Sequence, residues 1–278
     1  STDMLVSGRH FFPDADPFLL GRKSLAVNLS DMAAMAATPL WATLAFALPT
    51  ADESWLEQFS LGFFSLADQH GVELIGGDTT SGPLNICLQI LGEVPPDAAL
   101  RRDGAKAGDD IWVSGELGAA ALALLHLREE LSISADALAR CAPRLHDPSP
   151  RVALGLALRG IVQSAIDISD GLLADLGHIL ERSNVGAEIQ FSDVPCGDDV
   201  RKFLDQPLGQ QALLAGGDDY ELCFTAPATR QDDIARIAQR LDLRLSRIGR
   251  IVAGDKLIVR DEKGRAINFE HKGFDHFN

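Results

Sequence analysis

Residues 72–80 read Val-Glu-Leu-Ile-Gly-Gly-Asp-Thr-Thr, an apolar strand that runs directly into two glycines, an aspartate and two threonines. Glycine permits positive φ and a close approach of the backbone to a ligand. Asp78 is therefore predicted to stand at the end of a short strand, at residues 72–75, where active-site groups often lie. The competing interpretation is a tight turn with a hydrogen-bonding aspartate, and this segment alone leaves both open.

Four further segments set a carboxylate beside a hydroxyl or a glycine. If the fold brings these carboxylates together, two like charges about 4 Å apart repel by roughly 4 kcal/mol at an effective dielectric near 20. A cluster therefore implies bound divalent cations, and ligands that are all oxygen favour Mg²⁺ or Ca²⁺ over zinc. Mg²⁺ held by a few carboxylates keeps positions open for phosphate oxygens, which indicates a phosphate-handling enzyme. The segments are Ser1-Thr2-Asp3, Asn28-Leu29-Ser30-Asp31, Asp167-Ile168-Ser169-Asp170-Gly171 and Gly216-Gly217-Asp218-Asp219-Tyr220-Glu221.

Each segment also has an ordinary structural explanation. An aspartate before a helical run, such as Asp170 before the predicted helix 172–183, is usually an N-cap, and Ser169 is the other candidate for that cap. Asp167 weakens this explanation, because an unpaired carboxylate in an apolar strand is costly to bury. The remaining alternatives are a helix-surface charge at Asp31, a turn at residues 217–219, a frayed terminus at residues 1–3 and a surface loop at His10.

The composition is that of an ordinary globular protein, with 46% hydrophobic and 23% charged residues among 278. A net charge of −15 argues against a nucleic-acid surface, because phosphate backbones are held mainly by Lys and Arg. The four cysteines form no C-x-x-C pair, which favours reduced thiols in a cytoplasmic protein. No apolar run approaches the length of a membrane span, and no signal peptide is visible.

The chain is long enough for two domains, and Pro95-Pro96 with the polar stretch 101–110 marks the predicted boundary. The predicted domains are residues 1–100 and 101–278. Helix signals include Asp16-Pro17 at the start of a helix that ends before Pro39, and a capping box that begins at Thr50. Strands and helices alternate without a strict repeat, which predicts a two-domain α/β or α+β protein. The opening Ser-Thr-Asp without Met leads us to expect that residues before it are missing.

Common nucleotide and nucleophile motifs are absent from the sequence. There is no G-x-x-x-x-G-K-[ST] P-loop, no G-x-S-x-G and no kinase-type H-R-D loop. Any nucleotide chemistry must therefore use metal and a different phosphate cradle.

Taken together and in order, the motifs resemble the thiamine-monophosphate kinase family of the PurM-like (aminoimidazole ribonucleotide synthetase-like) superfamily. The resemblance covers essentially the whole chain, and His10 and the C-terminal ending favour the thiamine branch. Besides the acidic segments, it rests on His10-Phe11, on residues 23–35, on Arg102-Asp103-Gly104-Ala105-Lys106-Ala107-Gly108-Asp109 and on the ending Lys272-Gly273-Phe274-Asp275-His276-Phe277.

The resemblance implies an N-terminal domain that forms a barrel across a homodimer and a C-terminal α/β domain packed beside it. It implies a kinase that moves the γ-phosphoryl group of ATP onto thiamine monophosphate, with several Mg²⁺ ions and no separate catalytic side chain. Metal ions that bridge the phosphates would allow direct in-line transfer without a covalent intermediate. By the same resemblance, the metal ligands are Ser1, Thr2, Asp3, Asp31, Asp78, Asp167 and Asp170, the ATP contacts are Gly77, Asp78, Arg102 and Ser169, and the substrate contacts are His10, Asp218 and Phe274.

Two departures from the family pattern stand out. The family carries a Gly-Asp-Asp motif upstream of Ser-Thr-Asp, which is absent here, and Asp218 stands where the family often has Glu. The alternatives are another PurM-like ATP-dependent synthetase and a non-catalytic protein that binds nucleotide or metal. A selenophosphate synthetase would be expected to carry a reactive Cys or Sec near its start, and a hydrogenase-maturation relative would end in Cys.

Overall fold

The structure is a computed structural model that describes residues 1–267, Phe269 and Gly273. Its elements alternate between helices and strands, as the sequence predicts. The first part contains β1 (Thr2–Val6), α1 (Pro17–Ala34), β2 (Thr38–Leu48), α2 (Glu53–His70), β3 (Glu73–Ser81) and β4 (Asn85–Glu93). Then follow β5 (Asp110–Ser114), α3 (Ala119–Leu127), α4 (Ala135–His146), α5 (Val152–Ala157), β6 (Ser164–Ile168), α6 (Leu172–Ser183), β7 (Gly186–Gln190), α7 (Asp198–Arg201), α8 (Pro207–Ala215), β8 (Glu221–Ala226), α9 (Gln231–Leu241), β9 (Leu245–Val252), β10 (Leu257–Arg260) and β11 (Ala266–Ile267).

The strands form two mixed sheets. Among the described residues, the first sheet has four strands in the order β1-β4-β2-β3, with β2 and β3 parallel and the other pairs antiparallel. Within the described part of the chain, the second has seven strands in the order β11-β10-β7-β9-β5-β8-β6, with only β10 and β7 parallel. The mixed α/β class predicted from the sequence is confirmed. The domain boundary near residue 100 stays a prediction, although the two sheets lie on either side of it.

Helix α1 joins the two halves, because it packs on α2, touches β4 of the first sheet and also reaches β6 and β8 of the second. It begins as the sequence predicts, with Pro17 at its first position and the Asp16 carboxylate accepting the Leu19 N–H at 3.0 Å. Nearly the whole helix is buried, including Lys23 and Asn28. A helix buried on all sides must find partners for its polar side chains within the protein.

Several local predictions are corrected by the structure. The cap of α2 is Asp52, whose carboxylate accepts the Trp55 N–H at 3.1 Å, and not Thr50. Residues 1–3 are not frayed, since β1 pairs antiparallel with β4. Strand β3 does not end before Gly76 but continues to Ser81, because it pairs in parallel with β2 along its length.

The glycine at position 77 is required by strand packing. A Cβ at Gly77 would lie 1.8 Å from the carbonyl oxygen of Leu44 on the neighbouring strand. Asp78 therefore lies inside an edge strand and not at a strand end. Gly77, the second glycine, allows the backbones of β2 and β3 to lie close together.

The contact between α1 and α2 also depends on glycine. A Cβ at Gly21 would lie 2.1 Å from the Phe59 carbonyl oxygen, and a Cβ at Gly62 would lie 1.9 Å from the Phe18 carbonyl oxygen. Each helix thus presents a glycine to the backbone of the other, which lets them pack closely. In the described part of the chain no helix is long and apolar enough to cross a membrane.

We predict that Gly62→Ala lowers the free energy of unfolding by about 1–3 kcal/mol or more, because the added methyl group forces the two helix backbones apart. Gly177→Ala is the matched control, since Gly177 lies in α6 and a Cβ there meets nothing within 4 Å. This control should stabilise the protein by about 0.5–1 kcal/mol, the difference in helix propensity. Urea denaturation measures both changes, and equal behaviour of the two variants would contradict the close contact.

Candidate active site

A cleft of about 800 Å³ lies between the N-terminal strand, α1 and the loops that flank β6 and β8. Its wall also includes the ends of α3 and α4, where Leu124, Leu127 and Leu145 contribute apolar surface. Many of the candidate residues named from the sequence line this cleft. They are Thr2, Asp3, His10, Asp31, Asp167, Ser169, Asp170 and Asp218.

Two carboxylates at one end of the cleft, Asp3 and Asp167, are harder to ionise than usual. Burial and the nearby charge of Asp31 raise the pKa of Asp3 to about 6. Burial, again followed by the charge of Asp31, raises the pKa of Asp167 to about 7, although a hydrogen bond from Ser30 at 2.7 Å opposes this shift. Asp31 itself accepts a hydrogen bond from the Ser1 hydroxyl. The fold therefore concentrates negative charge at this end, as the motifs predict.

These residues fit a hard divalent cation by donor chemistry. The Oδ2 atom of Asp3 is buried and has no hydrogen-bond partner among the residues that the structure describes, and an orphaned buried carboxylate oxygen is costly. The available donors are carboxylate and hydroxyl oxygens, which Mg²⁺ prefers. Within residues 1–267, 269 and 273, no three Asp, Glu, His or Cys side chains are grouped so that they could hold one ion in the present arrangement. Repulsion between bare carboxylates favours such a separation.

The loop before α6 is organised by Asp175, which the sequence analysis missed. One oxygen of Asp175 accepts hydrogen bonds from the N–H groups of Ser169, Asp170 and Gly171, each at 3.1 Å. Gly171 is the N-cap, so the prediction that Ser169 or Asp170 caps the helix is wrong. Burial, then the charges of Asp167 and Asp170, raise the pKa of Asp175 to about 8. The sequence signal that could have identified Asp175 was an acidic residue in the first turn of a helix.

The three acidic residues of the segment 216–221 divide into one that faces the cleft and two that hold the scaffold. Asp219 is buried and accepts the Gly118 N–H with both oxygens at 3.0 Å. Glu221 is fully buried and is paired with Arg144 and Arg151. Asp218 remains at the cleft, where Lys23 donates to its Oδ1 at 2.7 Å.

His10 lines the same cleft. Its Nδ1 accepts the backbone N–H of Val6 at 3.0 Å, so the neutral ring carries its proton on Nε2. The structure thus brings the predicted phosphate contact to the same cavity as the acidic residues, while its role stays a prediction.

Four of the described candidate residues, Ser1, Gly77, Asp78 and Arg102, do not line the cleft in the single chain. Ser1 reaches it only through the hydrogen bond from its hydroxyl to Asp31. Gly77 and Asp78 lie on the exposed edge strand β3, where the Asp78 carboxylate accepts the Thr79 N–H at 2.9 Å. Arg102 is exposed in the segment before β5. Phe274 lies outside the described residues, but the adjacent Gly273 is close to the site, since a Cβ there would be 2.8 Å from the carbonyl oxygen of Asp170.

Comparison with known proteins decides the family. Residues 1–94 match the model of the AIR synthase related protein, N-terminal domain, and residues 106–262 match its C-terminal domain. The chain is 44% identical to the thiamine-monophosphate kinase of Salmonella typhimurium over 278 residues, which is 100% of this chain and 86% of the relative. The chain belongs to the thiamine-monophosphate kinase family. The resemblance inferred from the motifs is thereby confirmed.

Solved structures of the thiamine-monophosphate kinase family share the fold. The enzyme from Stenotrophomonas maltophilia K279a has a TM-score of 0.90 and 48% identity, covering 96% of this chain and 85% of that one. AaThiL complexed with AMPPCP and TMP has a TM-score of 0.86 and 30% identity, covering 100% of this chain and 86% of that one. The PurM-like two-domain class is confirmed, and the barrel across a dimer stays a prediction.

We predict that Asp31→Asn stabilises the metal-free protein by on the order of 1 kcal/mol, since it removes the charge that raises the pKa of Asp3 and Asp167 and one pKa unit equals about 1.4 kcal/mol. Urea denaturation at pH 7 in EDTA measures this change. Asp14→Asn, at an exposed position on the rim of the same cleft, is the control and should stay within about 0.5 kcal/mol of wild type. A less stable Asp31→Asn protein would show that Asp31 is a structural residue.

Proposed function

We propose that the chain transfers the γ-phosphoryl group of ATP to the phosphate of thiamine monophosphate by direct in-line transfer, giving thiamine diphosphate. The activity follows from the family, whose members match along the full chain, and from the fold shared with AaThiL bound to AMPPCP and TMP. The observation that carries the proposal is the cleft, in which Asp3, Asp31 and Asp167 lie at the same cavity as His10 and Asp218.

Both reacting phosphates are anionic, and the acidic end of the cleft would repel them. We infer that several Mg²⁺ ions are held here by Asp3, Asp31, Asp167 and Asp170 with the hydroxyls of Ser1 and Thr2. When bound, Mg²⁺ neutralises charge on the carboxylates and phosphates. The buried, unpaired Oδ2 of Asp3 supports this assignment.

The protein's own contribution is positioning. Ser169 is fixed by Asp175 at the start of α6, and we assign it to ATP together with Gly77, Asp78 and Arg102. Arg102 can place its fork of donors on phosphate oxygens. We assign His10, Asp218 and Phe274 to thiamine monophosphate, with the Nε2–H of His10 donating to its phosphate. No side chain forms a covalent intermediate in this scheme.

The decisive experiment measures ADP release from ATP with and without thiamine monophosphate. We expect release that depends on thiamine monophosphate, stops in EDTA and returns with excess Mg²⁺. Thiamine, which lacks the acceptor phosphate, is the control and should give no release above background. Release without any acceptor would indicate a different ATP-dependent enzyme, and binding of ATP without release would indicate a non-catalytic nucleotide-binding protein.

We also propose that the enzyme is a homodimer built on the first sheet. Met4, Trp41 and Leu91 are exposed, and the pairing of Met4 with Cys87 and of Trp41 with Leu91 places them on one face. The alternate residues of β4, such as Ile86 and Ile90, are buried on the other face. Exposed apolar patches of this kind mark interaction sites. The exposed β3, which carries Asp78, is an edge strand of the same sheet.

We predict that Trp41→Glu converts the dimer into a monomer in sedimentation velocity experiments, because it would bury a charge in the interface. Leu61→Glu is the matched control, since Leu61 is 53% exposed on α2 and does not belong to the sheet. That variant should keep the wild-type mass. A monomeric wild-type protein, or dissociation by both substitutions, would contradict the assignment of the sheet as the interface.

A further inference from the structure

Lys23 is a buried cation in the wall of the cleft. It lies in α1 and is 4% exposed. Its Nζ donates to Oδ1 of Asp218 at 2.7 Å and to the carbonyl oxygen of Leu145 at 2.9 Å. A buried ammonium group is costly unless it is paired and hydrogen-bonded, and these contacts supply both requirements.

The backbone around Asp218 is held in an unusual conformation. Asp218 has φ +68° and Tyr220 has φ +49°, in the left-handed region that non-glycine residues seldom occupy. The Asp218 N–H donates to the carbonyl oxygen of Ser169 at 2.9 Å, and the Tyr220 N–H donates to that of Ile168 at 2.8 Å. These bonds fix the loop against the end of β6.

Tyr220 lies beside the Asp218 carboxylate. Burial raises the pKa of Tyr220 well above its usual value, and the charge of Asp218 together with a hydrogen bond to it acts in the same direction. The Asp218 side chain is nevertheless 27% exposed and lines the cleft. The carboxylate is therefore accessible and oriented, with Lys23 bound to only one of its oxygens.

Charge within the cleft makes this pairing important. An uncompensated Asp218 would add a further negative charge to a cavity that already contains Asp3, Asp31, Asp167 and Asp170. Lys23 and Asp31 lie eight positions apart on α1, which is about 12 Å along a helix at 1.5 Å per residue. One rigid helix thus sets the distance between the Asp218 ion pair and the acidic end.

We propose that Lys23 is a positioning residue for thiamine monophosphate, acting by neutralising and orienting Asp218. The substrate then contacts the Asp218 carboxylate as an oriented hydrogen-bond acceptor. The charge of that carboxylate is already paired with Lys23. This inference rests on the proposed function, which assigns Asp218 to the substrate. The inference adds Lys23 as a residue that acts through Asp218. Because Lys23 lies on α1, the affinity for the substrate then depends on the position of that helix.

Steady-state kinetics of Lys23→Met test the inference. We expect the KM for thiamine monophosphate to rise at least tenfold, while the KM for ATP changes by less than about twofold. Because both residues act as a unit, Lys23→Met combined with Asp218→Asn should raise the KM for thiamine monophosphate no further than Asp218→Asn alone.

Arg22→Met is the matched control, because it removes the neighbouring cation of α1. Arg22 pairs with Asp147 at 2.8 Å, just after α4, and does not line the cleft. It should leave the KM for thiamine monophosphate within twofold of wild type, even if it lowers thermal stability as much as Lys23→Met does.

The possible results distinguish a failure of this inference from a failure of the proposed function. Lys23 would only support the fold if Lys23→Met raised the KM for ATP as much as the KM for thiamine monophosphate. The same conclusion would follow if Arg22→Met raised the KM for thiamine monophosphate as much as Lys23→Met does. Additive effects in the double variant would show that Lys23 acts independently of Asp218. If the wild-type protein shows no turnover that depends on thiamine monophosphate, the proposed function and this inference are both overturned.

Discussion

The structure depends on the burial of polar side chains along α1. Most of α1 is buried, so its polar groups lose water and depend on partners within the protein. The Oδ1 atom of Asn28 is an exception, since it has no hydrogen-bond partner among the described residues. Ser24 donates to the carbonyl oxygen of Leu20, Ser30 donates to Asp167, and Lys23 donates to Asp218. The residues of all three partners line the cleft. The hydrogen bonds that satisfy the polar side chains of α1 therefore also position residues of the candidate site.

The same need for partners explains why several acidic residues in or next to the motifs do not face the cleft. Asp175 and Asp219 accept backbone N–H groups, and Glu221 holds two arginines inside the protein. These contacts fix the loops that present Ser169, Asp170 and Asp218. Close backbone contacts complete this frame, since a Cβ at Gly217 would lie 2.4 Å from the carbonyl oxygen of Ser169. Gly217 therefore allows the loop before β8 to pack closely on the loop after β6.

The fold leaves the acidic end of the cleft under electrostatic strain. The raised pKa values of Asp3 and Asp167 express that strain, and burial is the larger cause of both. Burying charge without a partner is unfavourable for stability, so the arrangement is better explained by ligand binding than by folding. A stability cost of this kind is typical of functional sites.

Local signals in the sequence determined much of the fold and the family. The Asp16-Pro17 start of α1 and the range of α6 were predictable because capping and apolar periodicity act within a few residues. The motifs named eight residues that line the cleft, because their residue types, side by side in the chain, match the chemistry of metal and phosphate.

Only the tertiary structure decided which of these residues meet. Lys23 and Asp218 are 195 positions apart, so no spacing could pair them. The extension of β3 through Gly77 and Asp78 follows from hydrogen bonds to β2, and those bonds override the turn preference of two glycines. The sequence alone therefore determines the type of chemistry, through residues that are adjacent in the chain. The tertiary structure determines the geometry of the site, because burial and long-range pairing depend on segments that the local sequence does not specify.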